Sequence, residues 1–358
     1  MGLMLDEVLR RALENHGSDV FIVPGSPIMT KSSGRLIQIS DEKLLPPDVE
    51  ILVSRAYELA GRDRETLEAE GDDDFSFAVA HLSRFRCNTY HQRGSLALTC
   101  RVVAFGLPDP KERHIPEVVL KLADLRSGMI LVTGPAGNGK STTLACLIDR
   151  INQSRSGHII TIEDPIEYLH PHKLCLVSQR EVPEDASSFA RAVRAALREA
   201  PDVIMLGEMR DVETISTAIT AAETGHLLIS TLHTLGAAKT IDRVIDAFAA
   251  EQQNQVRTQL SMVLRAVVSQ RLLLGTDGVL YPVFEVMTVT PAIQNLIREG
   301  KTHQIDNAIS GAGSEMLSMD SELARLAREN KITKEMARAY ALHPETMERQ
   351  MRFGTMGR

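Results

Sequence analysis

Two rhythms of polar and apolar positions divide the chain. Over residues 1–105 the stretches are short and mixed. Residues 5–15 read as an opening helix that ends near His16-Gly17, where glycine can take the left-handed conformation. Strand-like runs follow at 20–23 and 75–79, the second alternating apolar with small or polar residues. Two more, 84–90 and 96–102, are joined by Gln92-Arg93-Gly94-Ser95, which has the composition of a hairpin connection. Pro46-Pro47 breaks the chain ahead of a helical segment over 48–60. These elements predict a small mixed α/β domain.

Residues 106–116 carry three prolines among polar groups, the composition of a semi-extended connector or hinge. Beyond it, apolar strands alternate with helices, the rhythm that predicts a parallel sheet covered on both faces. From Thr290 onward the pattern is helical alone, interrupted at Gly311-Ala312-Gly313-Ser314. The expected organisation is therefore 1–105, a linker at 106–116, an α/β core at 117–287 and a helical subdomain at 288–358, with no internal repeat.

Composition narrows the function. The 358 residues are 43% apolar and 24% charged with a net charge of −7, an ordinary globular balance. Aromatics make up 4% and Trp is absent, which argues against base-stacking surfaces, and the acidity argues against a free-standing nucleic-acid binder. No apolar run approaches eighteen residues, and the start Met1-Gly2-Leu3-Met4-Leu5-Asp6-Glu7 is too acidic for a signal peptide. Cys87, Cys100, Cys146 and Cys175 lie too far apart to signal a zinc site or a disulfide framework. The expectation is a cytoplasmic, soluble protein.

The strongest chemical signal lies after the apolar run 129–133. Gly134-Pro135-Ala136-Gly137-Asn138-Gly139-Lys140-Ser141 fits G-x-x-x-x-G-K-[ST], and a helical pattern begins at Thr142. Strand, loop and helix stand in the order a phosphate-binding loop requires. Glycines let backbone N–H groups wrap a phosphate at a helix N-terminus. Lys140 is expected at the β- and γ-phosphates and Ser141 on Mg²⁺, with Gly134 through Thr142 forming the ATP cradle.

Acids at strand ends supply the next candidates. His158–Tyr168 is an apolar strand ending in Glu163-Asp164-Pro165, and the edge where parallel strands end is where such sheets bind ligands. Glu163 reads as a general base for water, with a solvated strand end as the alternative. In Pro201–Asp211, Glu208 follows four apolar residues and a glycine, the usual place for metal contact in P-loop proteins, whereas Asp211 better suits a helix cap. His226 and His233 bracket another strand. On spacing alone His233 stands equally as a γ-phosphate sensor or a structural histidine.

Together GPAGNGKS, TIEDPIEY, LGEMRD and TGHLLISTLHT resemble the P-loop, Asp, Walker B and His boxes of the type II/IV secretion ATPases. The resemblance spans nearly the whole chain and is nearest to the family's twitching-motility branch, which retracts type IV pili. The tetracysteine insert and long N-terminal extension of the assembly relatives have no counterpart. Ala292-Ile293-Gln294-Asn295-Leu296-Ile297-Arg298-Glu299 resembles the A-I-R-N-L-I-R-E signature of retraction ATPases, with Gln294 in place of arginine. Ala136 and Asn138 stand where Thr and Ser are common.

The resemblance implies a RecA-like P-loop ATPase core preceded by a PAS-like mixed α/β domain, working as a homohexamer with ATP and Mg²⁺. It implies that Glu163 activates water, that Glu208 and Ser141 hold Mg²⁺, and that His226 and His233 couple the γ-phosphate to the subunit interface. Arg86, Arg93 and Arg101 would act as arginine fingers, which of them reaching phosphate being open. It further implies force delivery to an inner-membrane platform protein at the pilus base, no nucleic acid, and a place at the inner face of the cytoplasmic membrane. The rival readings are a sibling assembly or accessory ATPase, a DNA-translocating P-loop motor, and a nucleotide sensor that binds ATP without cleaving it.

Overall fold

The computed structural model describes residues 4–32, 34–103 and 106–353. The start at Met1–Leu3 and the domain boundary drawn at residue 105 lie outside the described residues. The chain forms two compact units, Met1–Gly106 with Glu167–Leu169, and Leu107–Ile166 with His170–Arg358.

The first unit is an antiparallel sheet in the order β3-β2-β1-β6-β5-β4. Its strands are β1 (Asp19–Ile22), β2 (Met29–Ser32), β3 (Arg35–Gln38), β4 (Asp72–Val79), β5 (Ser83–Gln92) and β6 (Ser95–Val102). Helices α1 (Leu5–Glu14), α2 (Pro46–Ala60) and α3 (Glu65–Glu70) accompany them. Leu5, Leu9, Leu52 and Val53 share one core with Phe75, Phe85, Cys87, Leu98 and Cys100. Alternation along β5 places Phe85 and Cys87 inside and leaves Arg86 exposed.

Three readings need correction here. The short strands β2 and β3 escaped sequence analysis because their burial is too partial to show alternation. Pro46 and Pro47 do not precede α2 but begin it, since the first turn needs no N–H from them. His16, not Gly17, takes the left-handed backbone after α1, with φ 53°. Gly17 is small for another reason: a Cβ there would sit 2.1 Å from Thr30 Oγ1 and 2.8 Å from the Ala12 carbonyl.

The second unit is built on a sheet ordered β13-β12-β7-β11-β10-β8-β9. The strands are β7 (Gly128–Thr133), β8 (Gly157–Glu163), β9 (Cys175–Glu181), β10 (Val203–Leu206), β11 (Leu227–Leu232), β12 (Leu264–Leu274) and β13 (Leu280–Thr288). Only the β12–β13 pair is antiparallel. Sequence analysis missed β9, β12 and β13. β12 and β13 add an antiparallel hairpin to a parallel sheet, outside the expected rhythm.

Helices α4 (Glu117–Leu120) and α5 (Lys140–Ser154) cover one face, where Ile130 and Val132 pack with Leu144 and Leu147. The other face carries α6 (Phe189–Ala196), α7 (Val212–Glu223), α8 (Ala237–Asp246) and α9 (Ala250–Val263). There Met129 and Leu131 pack with Ile215, Ile241 and Leu260. Alternate residues of β7 thus feed both layers. The chain ends in α10 (Pro291–Arg298), α11 (Ile305–Gly311), α12 (Met319–Arg328), α13 (Lys334–Tyr340) and α14 (Pro344–Phe353). The segment read as a linker is partly anchored: Ile115 is buried in the core, His114 stacks on Tyr281, and Cys146 Sγ donates to the Pro108 carbonyl. Among the described residues, no helix is long and apolar enough to cross a membrane.

Candidate nucleotide site

Strand β7 runs into the Gly134–Gly139 loop and then into α5, whose first residue is Lys140. Gly134, Gly137 and Gly139 have φ of 146°, 74° and 79°, conformations that a side chain would strain. Lys140 is buried, and its ammonium donates to the carbonyls of Gly134 at 2.9 Å and Pro135 at 3.0 Å. The cation is thus folded back over the loop whose N–H groups can hold phosphate. Ser141 and Thr142 follow in the first turn of α5, where the helix dipole favours an anion.

The register of the parallel strands brings the acids to the same edge. Ile162 of β8 pairs with Leu206 of β10, which pairs with Ser230 of β11, so Glu163, Glu208 and His233 all lie at the end where β7 meets the loop. Glu163 is buried, and its Oε1 accepts from Thr161 Oγ1 at 2.7 Å and Gln179 Nε2 at 3.2 Å. The carboxylate is therefore oriented by the protein, unlike a solvated strand end. A Cβ at Gly207 would lie 3.3 Å from the Ile162 carbonyl, so glycine allows the strand ends to close beside Glu208. Glu208 is also buried; it pairs with Arg210 and lies 3.3 Å from His233 Nε2. That hydrogen bond and charge hold the Arg210 guanidinium above its ordinary pKa. Asp211 caps α7, accepting from the Thr214 N–H at 2.8 Å.

His226 is not part of this group. It precedes β11, where its carbonyl accepts from Gly128 N, and its Nδ1 is within 3.1 Å of both Thr224 Oγ1 and the Ala221 carbonyl. The six residues of β11 separate it from His233, roughly 20 Å at the usual strand rise. His226 therefore sits at the opposite edge of the sheet from Lys140.

The arginines are similarly dispersed. Arg86 and Arg101 are direct cross-strand partners on β5 and β6, whereas Arg93 occupies the hairpin tip with φ 49°. Arg93 is again about 20 Å along the strand from Arg86, beyond the reach of one shared phosphate. Arg101 Nε donates to Asp19 Oδ1 at 2.9 Å. Burial alone would raise the Asp19 carboxyl, yet the Arg101 guanidinium and the Ser18 hydroxyl hold it below its ordinary value.

Strand β12 touches the site in a way sequence analysis missed. Gln270 is buried, its Oε1 accepting from Thr143 Oγ1 at 2.7 Å. The Leu272 N–H donates to Asn138 Oδ1 at 2.8 Å, while Asn138 Nδ2 donates to the Ala136 carbonyl at 3.0 Å. Asn138 thus ties the loop to the neighbouring strand. The sequence signal was there: Ser269-Gln270-Arg271 interrupts an otherwise apolar run over 266–274.

Beyond His233, the Gly236 N–H donates to Ser269 Oγ and the Ala237 N–H to Glu285 Oε1, each at 2.8 Å. Burial pushes the Glu285 carboxyl up to about 7, with nearby Asp306 and Asp320 adding to the rise and the backbone of Ala237 and Met319 opposing it. In the carboxy-terminal signature, Ile293 and Ile297 are buried in the main core while Asn295, Arg298 and Glu299 face outward. Replacing Ile293 therefore tests packing. The outward residues are the ones available to a partner.

A family model described as type II/IV secretion system protein matches residues 97–355. The chain belongs to this family. It is 43% identical to the type IV pilus retraction ATPase PilT of Pseudomonas aeruginosa, over 95% of this chain and 99% of the relative. It is 47% identical to a twitching motility protein of Neisseria gonorrhoeae, over 76% of this chain and 74% of the relative. A crystal structure of the pilus retraction motor PilT with bound ADP matches 97% of this chain and 99% of its own, at a TM-score of 0.88 and 44% identity. The expected family and ATPase core are borne out.

Proposed function

We propose that this secretion-family protein is an ATP-hydrolysing motor that powers type IV pilus retraction as a homohexamer. What carries the reading is the convergence of Lys140, Glu163, Glu208 and His233 on one sheet edge, in a chain similar along almost its full length to PilT. The site suits ATP: glycines with positive φ leave the loop backbone open to phosphate, and Lys140 supplies a cation there. It suits Mg²⁺ as well, since Ser141 and Glu208 offer the oxygen ligands a hard cation prefers. When bound, Mg²⁺ neutralises charge on the phosphates.

In this reading Glu163, oriented by Thr161 and Gln179, takes the proton of the attacking water. Lys140 holds the phosphates and His233 reports their state through Glu208. His226, at the far edge, is assigned to a subunit interface. Arg86 is the arginine we assign to the phosphate, because Arg101 is engaged by Asp19. Loss of the phosphate charge is the switch, and the connection at 106–116 acts as the hinge. The ring acts on a platform protein at the inner face of the cytoplasmic membrane.

The test joins phosphate release to particle size, with and without ATP and Mg²⁺. A magnesium-dependent turnover and a particle of six subunits are expected. A chain that binds no nucleotide, or stays monomeric through turnover, overturns the motor reading.

A further inference from the structure

β12 lies beside β7 in register, Ser269 opposite Thr133, so its next residues run alongside the phosphate loop. Four contacts result. The Gln270 carbonyl would be 2.3 Å from a Cβ at Gly134, and its Nε2 2.9 Å from one at Gly139. Its Oε1 accepts from Thr143 in α5, and the following Leu272 holds Asn138. Both Gln270 and Thr143 are buried, at 3% and 0% exposure, so the hydrogen bond between them is shielded from bulk water. An amide buried this deeply is costly unless its hydrogen bonds are made.

We propose that Gln270 is a positioning residue for the nucleotide reaction: its side chain clamps the carboxy-terminal end of the phosphate loop, beside Gly139 and at the first turn of α5, in the form that grips phosphate. This rests on the ATPase reading above. Gln270 acts through Thr143 and the loop glycines rather than on the nucleotide itself. The loop grips the same phosphates before and during reaction, so loosening it removes binding shared by both states. Such a loss raises KM and leaves kcat largely intact.

The experiment measures ATP turnover and binding of a fluorescent ADP in the full chain, for Gln270→Met, Thr143→Val, the pair together, and Thr143→Ser. Methionine fills the volume of glutamine without its amide. Gln270→Met is expected to weaken ADP and raise the KM for ATP roughly tenfold, with kcat within about threefold, the scale of one buried hydrogen bond. Thr143→Val should match it, the pair should be little worse than either single change, and Thr143→Ser should restore wild-type affinity. Should Gln270→Met fail to fold, Thr143→Val tests the same bond from the other partner. Unchanged ADP affinity, or a fall in kcat with KM unmoved, overturns the proposal, as does multiplication of the two single losses. A wild-type chain that binds no ADP fails the ATPase reading instead.

Discussion

Lys140 and the arginines of the first unit present positive charge in contrasting ways. Lys140 is buried, and two carbonyls of its own loop hold its ammonium. Its position follows from the residues within six places of it in the chain. Arg86, Arg93 and Arg101 stand exposed along a hairpin, spread over its length, and one is neutralised by an acid far away in sequence. A buried cation fixed by its own loop can be assigned from a motif. An exposed one can be assigned only when its neighbours are known.

The contrast breaks first at Lys140. Lys140→Ala should reduce turnover by at least about 10³-fold while leaving the circular dichroism spectrum unchanged, because the loop loses the only cation in its motif. A phosphate-release rate near wild type would remove the distinction altogether. Next, Glu163→Gln should lower kcat about 10²–10⁴-fold with ADP affinity preserved, the range for loss of a positioned base. Weakened nucleotide binding with normal turnover would make Glu163 structural.

The arginines sharpen the other half. Arg86→Ala should cost about 10³-fold in turnover if it serves as the finger, whereas Arg101→Ala should cost less than about threefold. Equal losses for the two would show that the Asp19 pair does not decide the assignment. The smallest effect concerns a buried charge of the opposite sign. Glu285 has a folded pKa of about 7 against an ordinary 4.5, so its contribution is fully present below pH 4.5 and is lost as pH rises through about 7. Glu285→Gln should therefore raise the melting temperature at pH 8 by about 2–4 °C and change it little near pH 4.5. A gain that is the same at both pH values would separate the effect from ionisation.

Some elements were legible because their causes are local. The 129–133 run, the glycine loop and the helix after it announced themselves, and Gln92-Arg93-Gly94-Ser95 turns where expected, with φ of 49° and 75° at its centre. Strands β2, β3, β9, β12 and β13 did not, being short, partly exposed, or paired against the expected rhythm. Asp211 was rightly preferred to Glu208 as a helix cap, because capping needs only the next three residues. Within the carboxy-terminal signature, resemblance alone did not tell the core residue Ile293 from its outward-facing neighbours.

The amino-acid sequence by itself determined that a phosphate loop exists and that acids close the following strands, since each is written in consecutive residues whose own backbone makes the geometry. Tertiary structure alone decided that Gln270 braces Thr143 across 127 residues of chain and that Leu272 holds Asn138 across 134. It also put His226 at the far edge of the sheet and gave Arg101 to Asp19, 82 residues away. The physical reason is sequence distance. A hydrogen bond between remote residues depends on strand order and register, which the sheet as a whole establishes and no short stretch encodes.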